Sequence, residues 1–205
     1  MRAHLQAGVA IYNAGRYHAA HDAWEDRWLD LESGSDDEQF LHGLIQFTAA
    51  VFHARNGNWS GATGLAASAS EYLAALPADY RSVDVGAVRD YLATMARDPE
   101  VIERERPLAL THEGAVVGPT DLDLDATLVA ADVLAEEDSY DVAVVDRASE
   151  YARADLAADV ASSPFVSLLF DFVREPAHRG VVFQRLSEHV DRRRSREEDV
   201  DGLFE

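Results

Sequence analysis

The sequence predicts an all-α protein: a helical bundle built round one central helix, with one small β-hairpin and a C-terminal helical extension. Three observations predict it. The first 98 residues repeat apolar side chains at the 3.6-residue helical period, broken only by connections of two to six residues. One stretch, Phe40–Ala54, is apolar on nearly every side, as a central helix must be. Strand-like text is confined to the neighbourhood of His112-Glu113-Gly114.

The elements follow in order. His4 to Tyr12 places Leu5, Val9 and Tyr12 on one helical face, and Asn13-Ala14-Gly15 supplies a turn. A second helix runs from Arg16 to about Leu31. Ser33-Gly34-Ser35-Asp36 ends it and offers a cap to a third, which continues to about Arg55. Asn56-Gly57-Asn58 makes the next tight connection, with Asn58 capping a small-residue helix from Trp59 to Ala75 that Pro77 stops. Val83 to Arg97 is amphipathic, with Val85, Val88, Leu92 and Met95 on one face.

After Pro99 the texture changes. Leu108–Leu110 and Ala115–Val117 flank a glycine turn and read as the hairpin. Helices return at about Ala126–Glu136, Tyr140–Ala154 and Asp155–Ala161. Ser163-Pro164 opens Phe165–Arg174, and Pro176 opens a last helix that ends in Arg192-Arg193-Arg194. The expected organisation is a bundle over 1–98, a hairpin connection over 99–120, a helical extension over 121–196 and an acidic disordered tail over 197–205.

Composition narrows the function classes. The 205-residue chain carries a formal charge of −20, and all of its 18 basic residues are arginine. Such a surface repels nucleic-acid phosphates and anionic membranes, so neither is an expected partner. The acidity reads as adaptation to high salt, where screening removes self-repulsion. There is no cysteine, which excludes disulfides and thiolate chemistry and fits a cytoplasmic protein. No run of 18 apolar residues exists, and the N-terminus lacks the apolar core of a signal peptide. Self-association into a homo-oligomer stays open.

The chemistry-bearing residues lie on the second and third helices. On a helical wheel, Tyr17, Trp24 and Trp28 share a core-facing stripe, the two tryptophans each within about 20° of Tyr17, and His21, Glu25, His18 and Asp22 follow round over about 100°. His21 and Glu25 are one turn apart, as are His18 and Asp22. An imidazole and a carboxylate at that spacing can share a metal ion or act as a base–acid pair. The third helix carries His42, Gln46 and His53 on one narrow stripe. His42 and His53 are roughly 16 Å apart along the helix and cannot serve one ion. Antiparallel pairing puts His53 level with His21. The expected centre is therefore His21, Glu25 and His53 as ligands to a divalent metal ion. Asp22 or Glu25 is the general base; Asp22 and Gln46 stand at the edge of the cluster, and His18 and His42 are its second-choice members. The same residues also suit a satisfied polar layer that fixes helix register, so a non-catalytic scaffold or partner-binding module is the competing expectation.

Weaker motifs are set aside. Asp121, Asp123 and Asp125 match the first positions of an EF-hand loop, but Ala126 stands where glycine is needed. Ser60–Gly64 lacks the lysine of a phosphate loop. Arg192–Arg196 is expected to favour a helix C-terminus. His4, His112, His178 and His189 are expected at the surface.

The two motifs YHAAHDAWEDRW and FLHGLIQFTAAVFHARNGNWSGA resemble the bacterial and archaeal family catalogued as domain of unknown function 309, over about residues 10–75. The resemblance implies an all-helical fold with Phe40–Arg55 as the central helix. It implies polar site positions at His21, Asp22, Glu25, Gln46, His53 and Asn58, and a metal-dependent hydrolase. Asp22 stands where that family usually has glutamate.

Overall fold

Local capping sets most helix ends. The structure, a computed structural model, describes residues 1–201. The chain divides into two compact units, Met1–Leu122 and the residues from Asp123 onward.

The first unit contains α1 (Arg2–Asn13), α2 (Tyr17–Leu29), α3 (Asp36–Arg55), α4 (Trp59–Leu73), α5 (Val85–Arg97) and the single turn α6 (Val101–Arg104). Gly15, with φ of +81°, makes the α1–α2 turn in the left-handed region where a side chain would be strained. Ser35 caps α3 by accepting from the Glu38 N–H at 3.2 Å, and three acidic residues occupy its first turn. Asn58 caps α4 through the Gly61 N–H at 3.1 Å. Half of the 20 residues of α3 are buried, and it packs between α2 and α4. It is the central helix, although Phe52 and the stripe of His42, Gln46 and His53 stay at least partly open.

The strand content differs from expectation. Two hairpins form, β1–β2 (Asp79–Tyr80 and Val83–Asp84) and β3–β4 (Thr111–His112 and Ala115–Val116), joined as one antiparallel sheet in the order β1-β2-β3-β4. The first was not expected, because a two-residue strand carries no readable period. Its turn, Arg81-Ser82, has positive φ at both residues without a glycine. Arg81 is held there by Asp37, which accepts from its Nε at 2.9 Å. Residues 99–120, expected as a connection, are built into the first unit. The Asn13 amide donates to the carbonyls of Leu110 and Val117 at 2.8 Å each.

The second unit is α7 (Leu124–Glu137), α8 (Val142–Ala157), α9 (Pro164–Arg174) and α10 (Arg179–Asp201). Asp123 caps α7, and Asp121 accepts from the Gly118 N–H, so two of the three alternating aspartates are engaged with backbone rather than free for calcium. The helices expected at 140–154 and 155–161 are one continuous α8, since nothing in Ala154-Asp155 interrupts the ladder. Ser163 and Pro164 open α9 as expected. α10 continues to Asp201, so the arginine run lies within the helix and not at its end, and residues 197–201 are helical; 202–205 lie outside the described residues. Among the described residues no helix is long and apolar enough to cross a membrane.

Two histidines expected at the surface are not there. His112 on β3 is 5% exposed, and His4 is half-buried. Burial holds both below the ordinary histidine pKa, and for His112 Arg2 acts in the same direction while Glu113 opposes. The folded pKa lies below the unfolded value of about 6.5. The stabilising preference for neutral imidazole is thus complete above that pH and is lost as pH falls through the folded value. The denaturation midpoint of His112→Gln is expected to fall less between about pH 7 and pH 5 than that of the wild type; parallel curves would show that His112 contributes nothing.

Candidate metal centre

α2 turns its small residues inward. Ala19, Ala20, Ala23 and Trp24 are fully buried, and this seats the helix close against α1 and α3. That packing leaves His18, His21, Asp22 and Glu25 on the edge of the helix that water reaches. The side chains of His21, Asp22 and Glu25 are 30%, 32% and 42% exposed.

One carboxylate organises the group. Asp22 Oδ1 lies 2.9 Å from His21 Nδ1, and Asp22 Oδ2 lies 3.2 Å from His18 Nδ1. Glu25 Oε2 is 3.8 Å from the same His21 nitrogen. One donor atom from each of His21, Asp22 and Glu25 falls within 4.8 Å of the others. The hydrogen bond to Asp22 raises the His21 pKa above its ordinary value against the effect of burial, with Glu25 adding to the rise.

The two separations from His21 Nδ1 suit a shared ion. Donors about 2.1 Å from one centre stand 2.9 to 3.8 Å apart when the angle between them is roughly 90° to 130°. One imidazole and two carboxylates form a nitrogen–oxygen set for a borderline or hard divalent cation. Three protein ligands leave coordination positions for water.

The expected trio is therefore altered. Asp22, expected at the edge, is inside the group. His53 is not in it among the described residues. Its Nδ1 instead accepts from the Asn58 amide at 2.8 Å. The reason is local: His53 sits in the last turn of α3, where the chain doubles back and Asn58 N–H bonds the His53 carbonyl at 2.9 Å. Asn58 thus ties His53 to the α3–α4 turn while its oxygen caps α4.

His42 and Gln46 belong to a second cluster. Gln46 Nε2 is 3.4 Å from His42 Nε2, and His42 Nδ1 is 3.5 Å from Glu38 Oε1. The His42 ring stacks on Tyr72 at 3.9 Å between centroids, with Trp28 at 4.7 Å. Trp28 Nε1 donates to Glu38 at 2.8 Å, which with the Gly34 N–H and His42 holds that carboxyl below its usual range despite burial. Glu38, His42 and Tyr72 line a cleft of 520 Å³. Sequence reasoning missed Glu38, Trp28 and Tyr72 here. Glu38 did carry a signal: it lies one turn before His42 on the same helical face.

The family model described as Domain of unknown function (DUF309) matches residues 5–65. That stretch is a DUF309 domain. It spans α1, α2, α3 and the start of α4, so the His21 group and His42 both lie in it, while the second unit lies outside it. None of the curated proteins compared with the chain matches it.

Proposed function

We propose that the DUF309 domain binds a divalent metal ion through His21, Asp22 and Glu25. The observation that carries the reading is the convergence of one imidazole nitrogen and two carboxylate oxygens within 4.8 Å at a water-accessible helix edge. A bound ion would supply Lewis acidity and lower the pKa of water, and the reading extends to metal-dependent hydrolysis. Glu25, the most open of the three, is the group placed to take a proton. His42 lines a neighbouring cleft with Gln46 beside it, which leaves the ion to the three residues of α2. The charge of −20 supports a partner that is not nucleic acid.

The competing reading, a structural polar layer in a scaffold, draws support from Asp22, whose two oxygens already lie beside two imidazoles. Metal binding separates the two. Untagged protein is stripped with chelator in concentrated salt, then dialysed against Mn²⁺ or Zn²⁺. Near-stoichiometric binding is expected in the wild type and in His53→Ala, with affinity reduced about 100-fold in His21→Ala and Glu25→Gln. No binding by the wild type, together with unfolding of His21→Ala, would establish the scaffold reading instead.

A further inference from the structure

A cavity apart from both clusters opens where the first turn of α1 meets the turns of the two hairpins. It measures 210 Å³, and its walls include Arg2 and Leu5 of α1, Arg81 and Ser82 of the first hairpin turn, and His112 and Glu113 at the second. His112 is the group that points to a ligand. The residue is 5% exposed, and the Gln6 amide nitrogen stands 3.5 Å from its Nδ1. An amide NH2 only donates, so Nδ1 accepts and the ring proton sits on Nε2. Nε2 has no partner among the described residues, yet it is open to water. A largely buried imidazole thus brings an unanswered N–H to the wall of a cavity, and native structures seldom leave such a donor unused.

The surroundings favour an anion. α1 begins at this cavity and no side chain caps it, so the N–H groups of its first turn and the positive end of its dipole have no side-chain acceptor. Arg2 gives one Nη to Glu113 at 3.2 Å and keeps its Nε and other Nη. Its charge also acts on His112. Asp37 takes the Nε and one Nη of Arg81 and leaves the other Nη. The carboxylate in the wall, Glu113, has a side chain that is 58% exposed and competes with any bound anion for Arg2. The charge of −20 acts against long polyanions spread over the surface. For a single ion in concentrated salt, screening within about 3 Å at 1 M leaves the local donors to decide.

We propose that this cavity binds a phosphoryl group, as inorganic phosphate or as the end of a small phosphate ester, with His112 Nε2, Arg2 and the first turn of α1 as its donors. A tetrahedral dianion presents several acceptor oxygens, which a helix N-terminus, a guanidinium and an imidazole N–H share between them. The volume lies below the range of about 300–1,000 Å³ usual for whole organic ligands, and a single phosphoryl group fits it.

The test uses the full chain in concentrated potassium chloride with chelator present, so that no metal on α2 holds phosphate and the outcome is independent of the metal-binding reading. Inorganic phosphate and methyl phosphate are titrated and followed by ³¹P NMR. Saturable phosphate binding is expected, weaker by about tenfold in Arg2→Gln and by about fivefold or more in His112→Phe, which keeps a ring and loses the donor. Glu113→Gln is expected to tighten binding by about twofold or more, because it frees Arg2 and removes a like charge. Methyl phosphate that binds as phosphate does assigns the site to phosphate esters, and its exclusion assigns it to the free ion. The Arg2 side chain is 67% exposed, so Arg2→Gln decides the matter even if His112→Phe does not fold. Phosphate that does not saturate, that binds Arg2→Gln or folded His112→Phe as tightly as the wild type, or that binds Glu113→Gln no more tightly overturns the proposal.

Discussion

Trp24→Ala is expected to lower the unfolding free energy of the first unit by about 4 kcal/mol, the range for truncating a fully buried indole. Trp24 is completely buried, and its Nε1 donates to the Leu5 carbonyl at 3.3 Å. The indole also occupies the space a side chain at position 8 would need: a Cβ on Gly8 would lie 2.1 Å from Nε1 and 2.3 Å from Cε2. Ring atoms are not a flexible tail that can swing aside, so Gly8→Ala forces α1 and α2 apart and is expected to cost about 1–3 kcal/mol. The two substitutions together are expected to cost less than their sum, because alanine at 24 makes room for alanine at 8. Denaturant titration of the full chain in concentrated salt measures all three. A cost under about 1 kcal/mol for Trp24→Ala would mean that α1 and α2 are held together elsewhere. The prediction bears on the candidate centre as well, because this packing leaves His21, Asp22 and Glu25 on the open edge of α2.

Arg193→Ala is expected to destabilise the second unit by about 3 kcal/mol. Asp155 on α8 is 8% exposed, and its two oxygens are satisfied separately: Arg193 Nη1 donates to one at 2.6 Å and Ser163 Oγ to the other at 2.7 Å. The guanidinium is also 4.2 Å from the Tyr151 ring centroid and 5.6 Å from that of Phe165. Three helices thus meet on one ion pair, whose carboxylate is largely buried and whose guanidinium is 29% exposed. Removing the arginine strands a carboxylate that has lost most of its contact with water, whereas replacing both partners removes the stranded charge. Asp155→Leu with Arg193→Met is expected to be close to wild type. Thermal melts read the difference, and a double variant as unstable as Arg193→Ala would sink the explanation.

Arg193 also illustrates how far a local reading reaches. In sequence it is one of a run of arginines near a chain end, and a helix C-terminus is the simplest use for them. Its partner is 38 residues away on α8, and no local pattern connects the two. His112 is similar: alone in sequence, it is buried because β2 and β3 pair through Val83 and His112. The hairpin at Asp79–Asp84 was hidden because two residues are too few to show alternation and its turn lacks the usual glycine. By contrast, the ends of α3, α4 and α9 were legible, since Ser35, Asn58 and Ser163 each bond an N–H three residues on.

The candidate centre divides along the same line. That polar groups gather on one edge of α2 follows from the 3.6-residue period alone, which the sequence carries without help. Which of them meet does not. Asp22 enters the group because its side chain turns toward His21 and His18, and His53 leaves it because Asn58 holds its ring at the α3–α4 turn. The sequence by itself therefore determined the all-α class, the central helix and the helix that bears the donors. The tertiary structure alone decided which edge of α2 stays open to water, the cleft at His42 and the unpaired hydroxyl of Tyr12. Helix period and capping act over three or four residues, whereas the helix edge left open and the place of a cleft depend on helix offsets fixed by packing across the whole unit.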